Sequence, residues 1–281
     1  MSINNLQKYS IKTFAKPIPI YCVGDSHSIV YDNIYFTEES QLGHSFHCKS
    51  FYQPGFSSVS WLDDQGNLSK NIINLFKNAC LLNKEGKANH LKTSGFRIDA
   101  RKISQKVETN PLIIVFCGDI DLRSNFLKKL NNEYDFILPY LSPEKDIQCL
   151  NLKILPSQIV LNLVNKIIHS IFEGLTRLKK LGLNSIHLHS LPPVILNRKK
   201  FETINGFQTT PLIQKKARLL FNYLFKQKCI ENNICFLDTW DQVTHNGNLL
   251  NEYLLDDVHL NKKACIHTFE NLADLITNSN Y

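Results

Sequence analysis

The chain has 281 residues, of which 43% are hydrophobic, and this much apolar material can fill a sizeable core and argues against intrinsic disorder. Lysine and arginine number 32 against 25 aspartate and glutamate, a formal charge of +7, without a sustained basic block that would indicate nucleic-acid binding. No run reaches the roughly 18 apolar residues of a spanning helix, and no signal-peptide pattern is found, so we expect a cytoplasmic protein without stable membrane insertion.

Eight cysteines are scattered along the chain without any Cys-x-x-Cys pair, which predicts reduced thiols rather than a disulfide framework. His44 and His47 have a metal-like spacing. Alternation along a strand would nevertheless place them on opposite faces, so we expect no metal site there.

The predicted elements alternate between strands and helices. Short apolar, β-branched runs bounded by turn residues predict strands at 18–23, 45–52, 112–117, 185–189 and 234–237. Apolar residues at three- and four-residue steps predict helices over 157–181, from Pro211 onward, and over 262–276. This order favours right-handed βαβ units in one doubly wound domain, 1–281, with rim insertions near 65–106 and 131–154.

The first predicted strand ends at Gly24-Asp25-Ser26. In an open parallel sheet, ligands bind beyond the carboxyl ends of the strands, so this turn is a candidate site. Ser26 would open a helix, where free N–H groups stabilise a developing anion, although a serine there can also be a simple N-cap.

Near the C-terminus, Asp256 and His259 are three residues apart, so one tight turn brings the carboxylate beside the imidazole. An aspartate that accepts from one imidazole nitrogen leaves the other nitrogen free to take a proton from a serine hydroxyl.

Together, Gly24-Asp25-Ser26-His27-Ser28 and Asp256-x-x-His259 resemble the first and last motifs of the SGNH (GDSL-type) hydrolase superfamily. The resemblance implies a three-layer α/β/α, flavodoxin-like fold with a central parallel sheet of about five strands. It also implies Ser26 as nucleophile, His259 as general base and Asp256 as the residue that orients it. Gly55 is the best match to the second motif, whose N–H joins the oxyanion hole. No metal or organic cofactor is implied.

The third motif departs from the family pattern. The family shows Gly-x-Asn-Asp, with an asparagine amide that donates to the oxyanion, whereas this chain has Gly118-Asp119-Ile120-Asp121-Leu122-Arg123. Ile120 cannot donate. His27, Arg123 and Asn125 are candidates for the missing hydrogen bond. This string resembles a variant of the superfamily associated with bacterial surface-polysaccharide loci.

Further candidates for substrate binding are Asp25, His27, Asp121, Arg123 and His189, and several of them have a plainer alternative. Arg123 could hold a substrate carboxylate or phosphate, or pair with Asp119 or Asp121 to brace its loop. His27 is a poor base for its neighbour Ser26, so we expect a loop or substrate contact. Asp25 is expected to cap a helix and brace its loop, and His189 to line the substrate pocket.

These motifs predict a serine-dependent acyl hydrolase, an esterase or deacetylase acting on a small-molecule or O-acetylated carbohydrate substrate. An acyltransferase of the same fold and a non-catalytic carbohydrate-binding or assembly module are the alternatives. A nucleotide-binding protein is disfavoured because the chain lacks a Gly-x-Gly-x-x-Gly or P-loop string. The oligomeric state is left open.

Overall fold

The computed structural model describes residues 17–37, 45–88, 112–140, 151–256 and 258–278. The strands of these residues, in chain order, are β1 (Ile18–Gly24), β2 (Tyr35–Thr37), β3 (Ser45–Tyr52), β4 (Leu112–Phe116), β5 (Tyr134–Phe136), β6 (Lys153–Leu155), β7 (Ile186–His189), β8 (Cys235–Leu237), β9 (Thr244–His245) and β10 (Asn248–Leu249).

The α-helices are α1 (Lys70–Asn78), α2 (Asp119–Asp121), α3 (Lys128–Leu130), α4 (Ser157–Lys180), α5 (Arg198–Asn205), α6 (Pro211–Glu231), α7 (Trp240–Val243) and α8 (Lys262–Asn278). A π-helical turn, Leu122–Leu127, joins α2 to α3. Short 3₁₀ helices cover Ser26–Tyr31, Ser58–Ser60 and Asn251–Tyr253.

The main sheet has six strands in the order β2-β3-β1-β4-β7-β8. All pairs are parallel except β2 with β3, which is antiparallel. The five parallel strands follow the order 2-1-3-4-5 of a flavodoxin-like fold, whose ligand crevice lies where the order reverses, between β1 and β4 here. The predicted fold class is thus confirmed. The extra strand, β2, is a three-residue edge strand.

Alternate side chains along the strands point to opposite faces of the sheet and contribute to two apolar cores. In β4, Ile113 and Val115 belong to the core shared with α4 and α6, whereas Ile114 and Phe116 belong to the core shared with α8. Helices therefore cover both faces and give three layers. The long helix α4 ends before Gly182, which has φ +95° and provides the predicted C-terminal cap.

The described part of the predicted insertion 65–106, residues 65–88, is not entirely peripheral, and residues 89–106 lie outside the described residues. Ser69 caps α1 by accepting from the Ile72 N–H, and Ile72 and Phe76 are fully buried in the main core. In the region 131–154, β5 and β6 form a separate two-stranded parallel sheet. The single-domain interpretation stays a prediction.

The seven cysteines of the described residues are free thiols, as expected; Cys149 lies outside these residues. Within the same residues, none of the helices has the length and apolar character that a membrane-spanning segment needs.

Candidate active site

The turn after β1 lies at the reversal point of the strand order. Gly24 has φ +153°, and a Cβ there would overlap the carbonyl oxygen of Phe116 at the end of β4. That same carbonyl accepts from the Asp25 N–H at 3.2 Å. Only glycine allows β1 and β4 to end this close together, so the turn that carries Ser26 is fixed beside the loop that follows β4.

Ser26 is the first residue of its 3₁₀ helix, and the N-cap is Asp25, whose carboxylate accepts from the His27 N–H at 3.0 Å. The capping alternative for Ser26 is therefore ruled out. Ser26 is partly exposed, and its hydroxyl makes no hydrogen bond to another described residue. A partly exposed, unengaged hydroxyl at this edge is available to a ligand.

Asp256 and His259 form the expected pair. The His259 Nδ1 lies 2.9 Å from Asp256 Oδ2 and 3.1 Å from Oδ1. Asp256 Oδ1 also accepts from the Val258 and His259 N–H groups at 2.7 and 2.9 Å. Burial raises the pKa of Asp256, but together these hydrogen bonds and the charge of His259 outweigh burial and the net pKa is lowered. Because an ionised carboxylate can only accept, Nδ1 carries the proton and Nε2 is left as a proton acceptor.

The pair lies against the turn after β1. The rings of His27 and His259 meet edge to face, with centroids 5.5 Å apart and an interplanar angle of 60°. The C-terminal Asp-His pair and the residue next to Ser26 thus share one site. No hydrogen bond joins Ser26 to His259 among the described residues.

A buried cluster of charges lies beneath these rings and is centred on Asp119, which is 3% exposed. Asp119 pairs with Arg218 of α6, with Arg123 Nε at 3.0 Å and with His27 Nε2 at 3.5 Å. Burial raises the pKa of Asp119, but Arg218 and Arg123 outweigh it and hold the pKa well below its usual value. Burial lowers the pKa of His27, but Asp25 and Asp119 more than offset it, so the net pKa is raised.

Asp121 connects the loop after β3 to the loop after β4. It accepts from Ser57 Oγ at 2.6 Å, from the Ser58 N–H at 2.8 Å and from Ser58 Oγ at 2.9 Å. Gly55, two residues before Ser57, is exposed with φ +67°, and apart from its chain neighbours no atom of the described residues lies within 4 Å of where its Cβ would be. The loop is therefore anchored at one end and open to a ligand at Gly55.

Three of the predicted substrate-binding residues are buried instead. Asp25, Asp121 and His189 are 2%, 0% and 3% exposed. Asp25 caps its helix, and burial raises its pKa to about 6. Asp25 and Asp121 are positioning residues, because their carboxylates are directed to the protein rather than to an open cleft.

The pocket-lining role predicted for His189 is wrong. Its Nδ1 lies 2.8 Å from the Ser190 carbonyl oxygen, and its Nε2 contacts Thr268 Oγ1 at 2.9 Å and Tyr31 OH at 3.2 Å. Burial lowers the pKa of His189 to about 4, so the ring is neutral in the interior. Helix α8 covers the face of the sheet that bears this ring.

Arg123 and Asn125 are turned toward protein partners. Arg123 Nη1 donates to Asn205 Oδ1 at 3.0 Å while its Nε pairs with Asp119, which is the loop-bracing alternative. Asn125 Nδ2 reaches Asp121 Oδ1 at 3.4 Å.

The sequence interpretation missed Arg218 and the serines at 57 and 58. Arg218 lies 99 residues after its partner Asp119, in a helix whose pattern shows no sign of the contact. Ser57 and Ser58 come two and three residues after Gly55, and this short spacing is the feature of the sequence that could have indicated their place in the site. Among the described residues, no group of three or more His, Cys, Asp or Glu side chains is arranged to hold a metal ion.

No family model and no curated protein matches this chain. Similar solved structures include a candidate acylhydrolase from Bacteroides fragilis, at 14% identity and TM-score 0.47, covering 98% of this chain and 97% of that one. The carbohydrate acetylesterase Est24 from Sinorhizobium meliloti has 13% identity and TM-score 0.43, covering 93% and 99%. The aryl esterase of M. smegmatis has 13% identity and TM-score 0.41, covering 93% and 99%. The likeness is one of fold, and at these scores it establishes no activity for this chain.

Proposed function

We propose that this protein is a serine-dependent acyl hydrolase in which Ser26 is the nucleophile, His259 the general base and Asp256 the residue that orients His259. The observation that carries the proposal is the ring contact between His27 and His259. It brings an oriented imidazole to the turn that bears Ser26, at the point of the sheet where flavodoxin-like folds bind ligands.

In the proposed reaction, the Ser26 oxygen attacks the ester carbonyl carbon as His259 Nε2 takes the hydroxyl proton. The tetrahedral intermediate collapses when His259 returns that proton to the leaving alcohol, which leaves an acyl-enzyme. Water then attacks the acyl carbon, with His259 again as base, and releases the carboxylic acid and the serine. The Ser26 to His259 hydrogen bond forms when substrate is bound, because such contacts are often long in unliganded enzymes.

Two backbone N–H groups are proposed as oxyanion donors. The Ser26 N–H is the first of a helix and has no intrahelical acceptor. The Gly55 N–H belongs to the exposed end of the loop that Asp121 anchors. Donors fixed before the substrate arrives stabilise the developing charge without reorganisation.

For the substrate we propose an acetyl ester on a carbohydrate. The site is open, since the side chains of Asp256 and His259 are 51% and 23% exposed, and a bulky sugar can approach them. The resemblance of the third motif to the polysaccharide-associated variant supports the same class. Transfer of the acyl group to a sugar hydroxyl would use the same acyl-enzyme, with the acceptor in place of water.

A non-catalytic binding module is the second candidate. It is favoured by Ile120 in the place of the donor asparagine and by the absence of a hydrogen bond between Ser26 and His259 among the described residues. Such a module would have no need for an oriented Asp-His pair beside a free serine.

The test measures hydrolysis of p-nitrophenyl acetate by the purified protein, by Ser26→Ala and by Ser170→Ala. Ser170 lies on α4, and among the described residues its hydroxyl bonds only to the Lys166 carbonyl oxygen one turn earlier, so its variant is a matched control. We expect the rate to fall to background in Ser26→Ala and to stay unchanged in Ser170→Ala. A fluorophosphonate should label the wild type at Ser26. Equal background rates in all three proteins, together with no labelling, would favour the binding module.

A further inference from the structure

The proposed reaction lacks one oxyanion donor, because Ile120 stands where the related hydrolases have an asparagine. Removal of one such donor typically slows acyl transfer about 100- to 1,000-fold. A working enzyme therefore needs another donor close to Ser26. Three polar side chains of this region were candidates: His27, Arg123 and Asn125.

Two of the three are engaged elsewhere. The Arg123 guanidinium spans Asp119 and Asn205 through Nε and Nη1. The Asn125 amide is turned to Asp121, which it shares with Ser57 and Ser58. Redirecting either side chain toward Ser26 would leave a buried carboxylate with fewer donors, which is costly.

His27 is placed differently. It follows Ser26 directly, its side chain is 12% exposed, and its Nε2 lies 3.5 Å from Asp119 Oδ2. Its ring contacts His259, so it faces the same site as the general base. Its Nδ1 has no hydrogen-bond partner among the described residues. Asp119 thus fixes one nitrogen and leaves the other available.

We infer that His27, held by Asp119, is a catalytic residue that donates its Nδ1–H to the substrate oxyanion and replaces the missing asparagine amide. This inference rests on the proposed function. Asp119 is then a positioning residue, and Arg123 and Arg218 keep it ionised.

The charges around His27 favour the form that this role needs. A neutral ring bonded to Asp119 through Nε2–H has no proton on Nδ1, so donation requires the imidazolium. Asp25 and Asp119 raise the pKa of His27 against burial and the charge of Arg218, and His259 is the other titratable group facing the ring. A cationic donor also offers more stabilisation than a neutral amide.

The pH dependence of kcat follows. A general base must be neutral, which gives a limb that rises with pH, and His27 must be protonated to donate, which gives a limb that falls as pH rises through its raised pKa. We expect a bell-shaped profile for the wild type after the Ser26→Ala background is subtracted. In His27→Gln, whose amide donates at any pH, the falling limb should disappear. A wild-type profile without a falling limb overturns the inference, and this measurement needs no variant of His27.

The second test is a rescue. His27→Ala should lower kcat about 100- to 1,000-fold, the typical loss for one oxyanion donor, with a much smaller change in KM. Adding Ile120→Asn to His27→Ala should raise kcat at least about 10-fold above that of His27→Ala. Ile120→Asn alone should raise kcat less than about 3-fold above that of the wild type. Activity of His27→Ala near the wild-type value, or a loss that Ile120→Asn does not reverse, contradicts the donor role. Fluorophosphonate labelling of Ser26 in the same variants distinguishes the two failures: labelling at Ser26 without the expected His27 effects contradicts the donor role alone, whereas no labelling contradicts the proposed function itself.

Discussion

Asp121 offers the sharpest test of how the two loops at the site are held together. In Asp121→Asn, the amide oxygen can keep the hydroxyl bonds of Ser57 and Ser58 to the Oδ1 position. The amide NH₂ then replaces Oδ2 and faces the Ser58 N–H, so two donors oppose each other where a 2.8 Å hydrogen bond stood. One hydrogen bond to a charged group is lost, worth about 1.5–3 kcal/mol, and one buried N–H is left unpaired. We expect a loss of about 2–4 kcal/mol in the free energy of unfolding.

The assay is urea unfolding monitored by tryptophan fluorescence. Trp61 is a suitable probe because it is buried near this loop, with its ring centroid 5.0 Å from that of Phe56. Asp63→Asn is the matched control. Asp63 Oδ1 also accepts two backbone N–H groups, from Gln65 and Asn67, but it is exposed, so water can replace the lost bond. The control should lose less than about 1 kcal/mol.

Esterase activity provides the second readout for Asp121→Asn. Loss of the hydrogen bond to the Ser58 N–H lets the Gly55 loop move, and a shift of about 1 Å in a catalytic donor can cost about 100-fold in rate. A variant with the stability of the wild type, within about 0.5 kcal/mol, and with full activity would refute the view that Asp121 positions this loop.

Three other predictions follow. Gly118 has φ +103°, and a Cβ there would lie 2.5 Å from the Phe221 ring, so Gly118→Ala should lose at least about 2 kcal/mol in the free energy of unfolding. Gly206 has φ +72° but lies in open space, so Gly206→Ala should lose about 1 kcal/mol, and equal losses of the two variants in urea unfolding would contradict this. The pKa of Asp25 is about 6 in the folded protein against an ordinary value of 3.8, so the folded state holds this proton more tightly and the stability of the protein falls as pH rises from about 3.8 to about 6. About half of that fall lies above pH 5, so urea unfolding should show Asp25→Asn gaining about 1–1.5 kcal/mol relative to the wild type between pH 5 and pH 8. The same difference at both pH values would count against this reasoning. Asp256→Asn should lower kcat by about 100-fold or more because the imidazole loses its orienting acceptor, and a rate within threefold of the wild type would argue against the proposed base.

Much of the fold follows from local pattern. All five predicted strands are found within one or two residues of their predicted bounds, and the long helices begin at Ser157 and Pro211 as their apolar spacing indicated. Strand β2 was missed because three residues are too short to show a period. Helix content was expected in the insertion 65–106, but the position of α1 was not predicted because the polar composition of its surroundings hides a short apolar face.

The site was predictable where the chemistry lies in neighbouring residues. Asp256 and His259 are three residues apart, and their contact follows from one turn. Burial was not predictable in this way, because it depends on which distant segments of the chain pack against a residue. No local pattern shows that α8 covers His189 or that α6 brings Arg218 to Asp119.

The charge cluster below the site is more readily explained by chemistry than by stability. Asp119 is buried with Arg218, and burying such pairs costs desolvation that often cancels their attraction, so apolar residues of similar size would stabilise the fold at least as well. The ring of His27 links this cluster to the open edge of the sheet, because it is partly exposed and in contact with His259. A set of charges that orients one imidazole and raises its pKa, at the reversal point of the strands, is what a reaction with a developing negative charge would use.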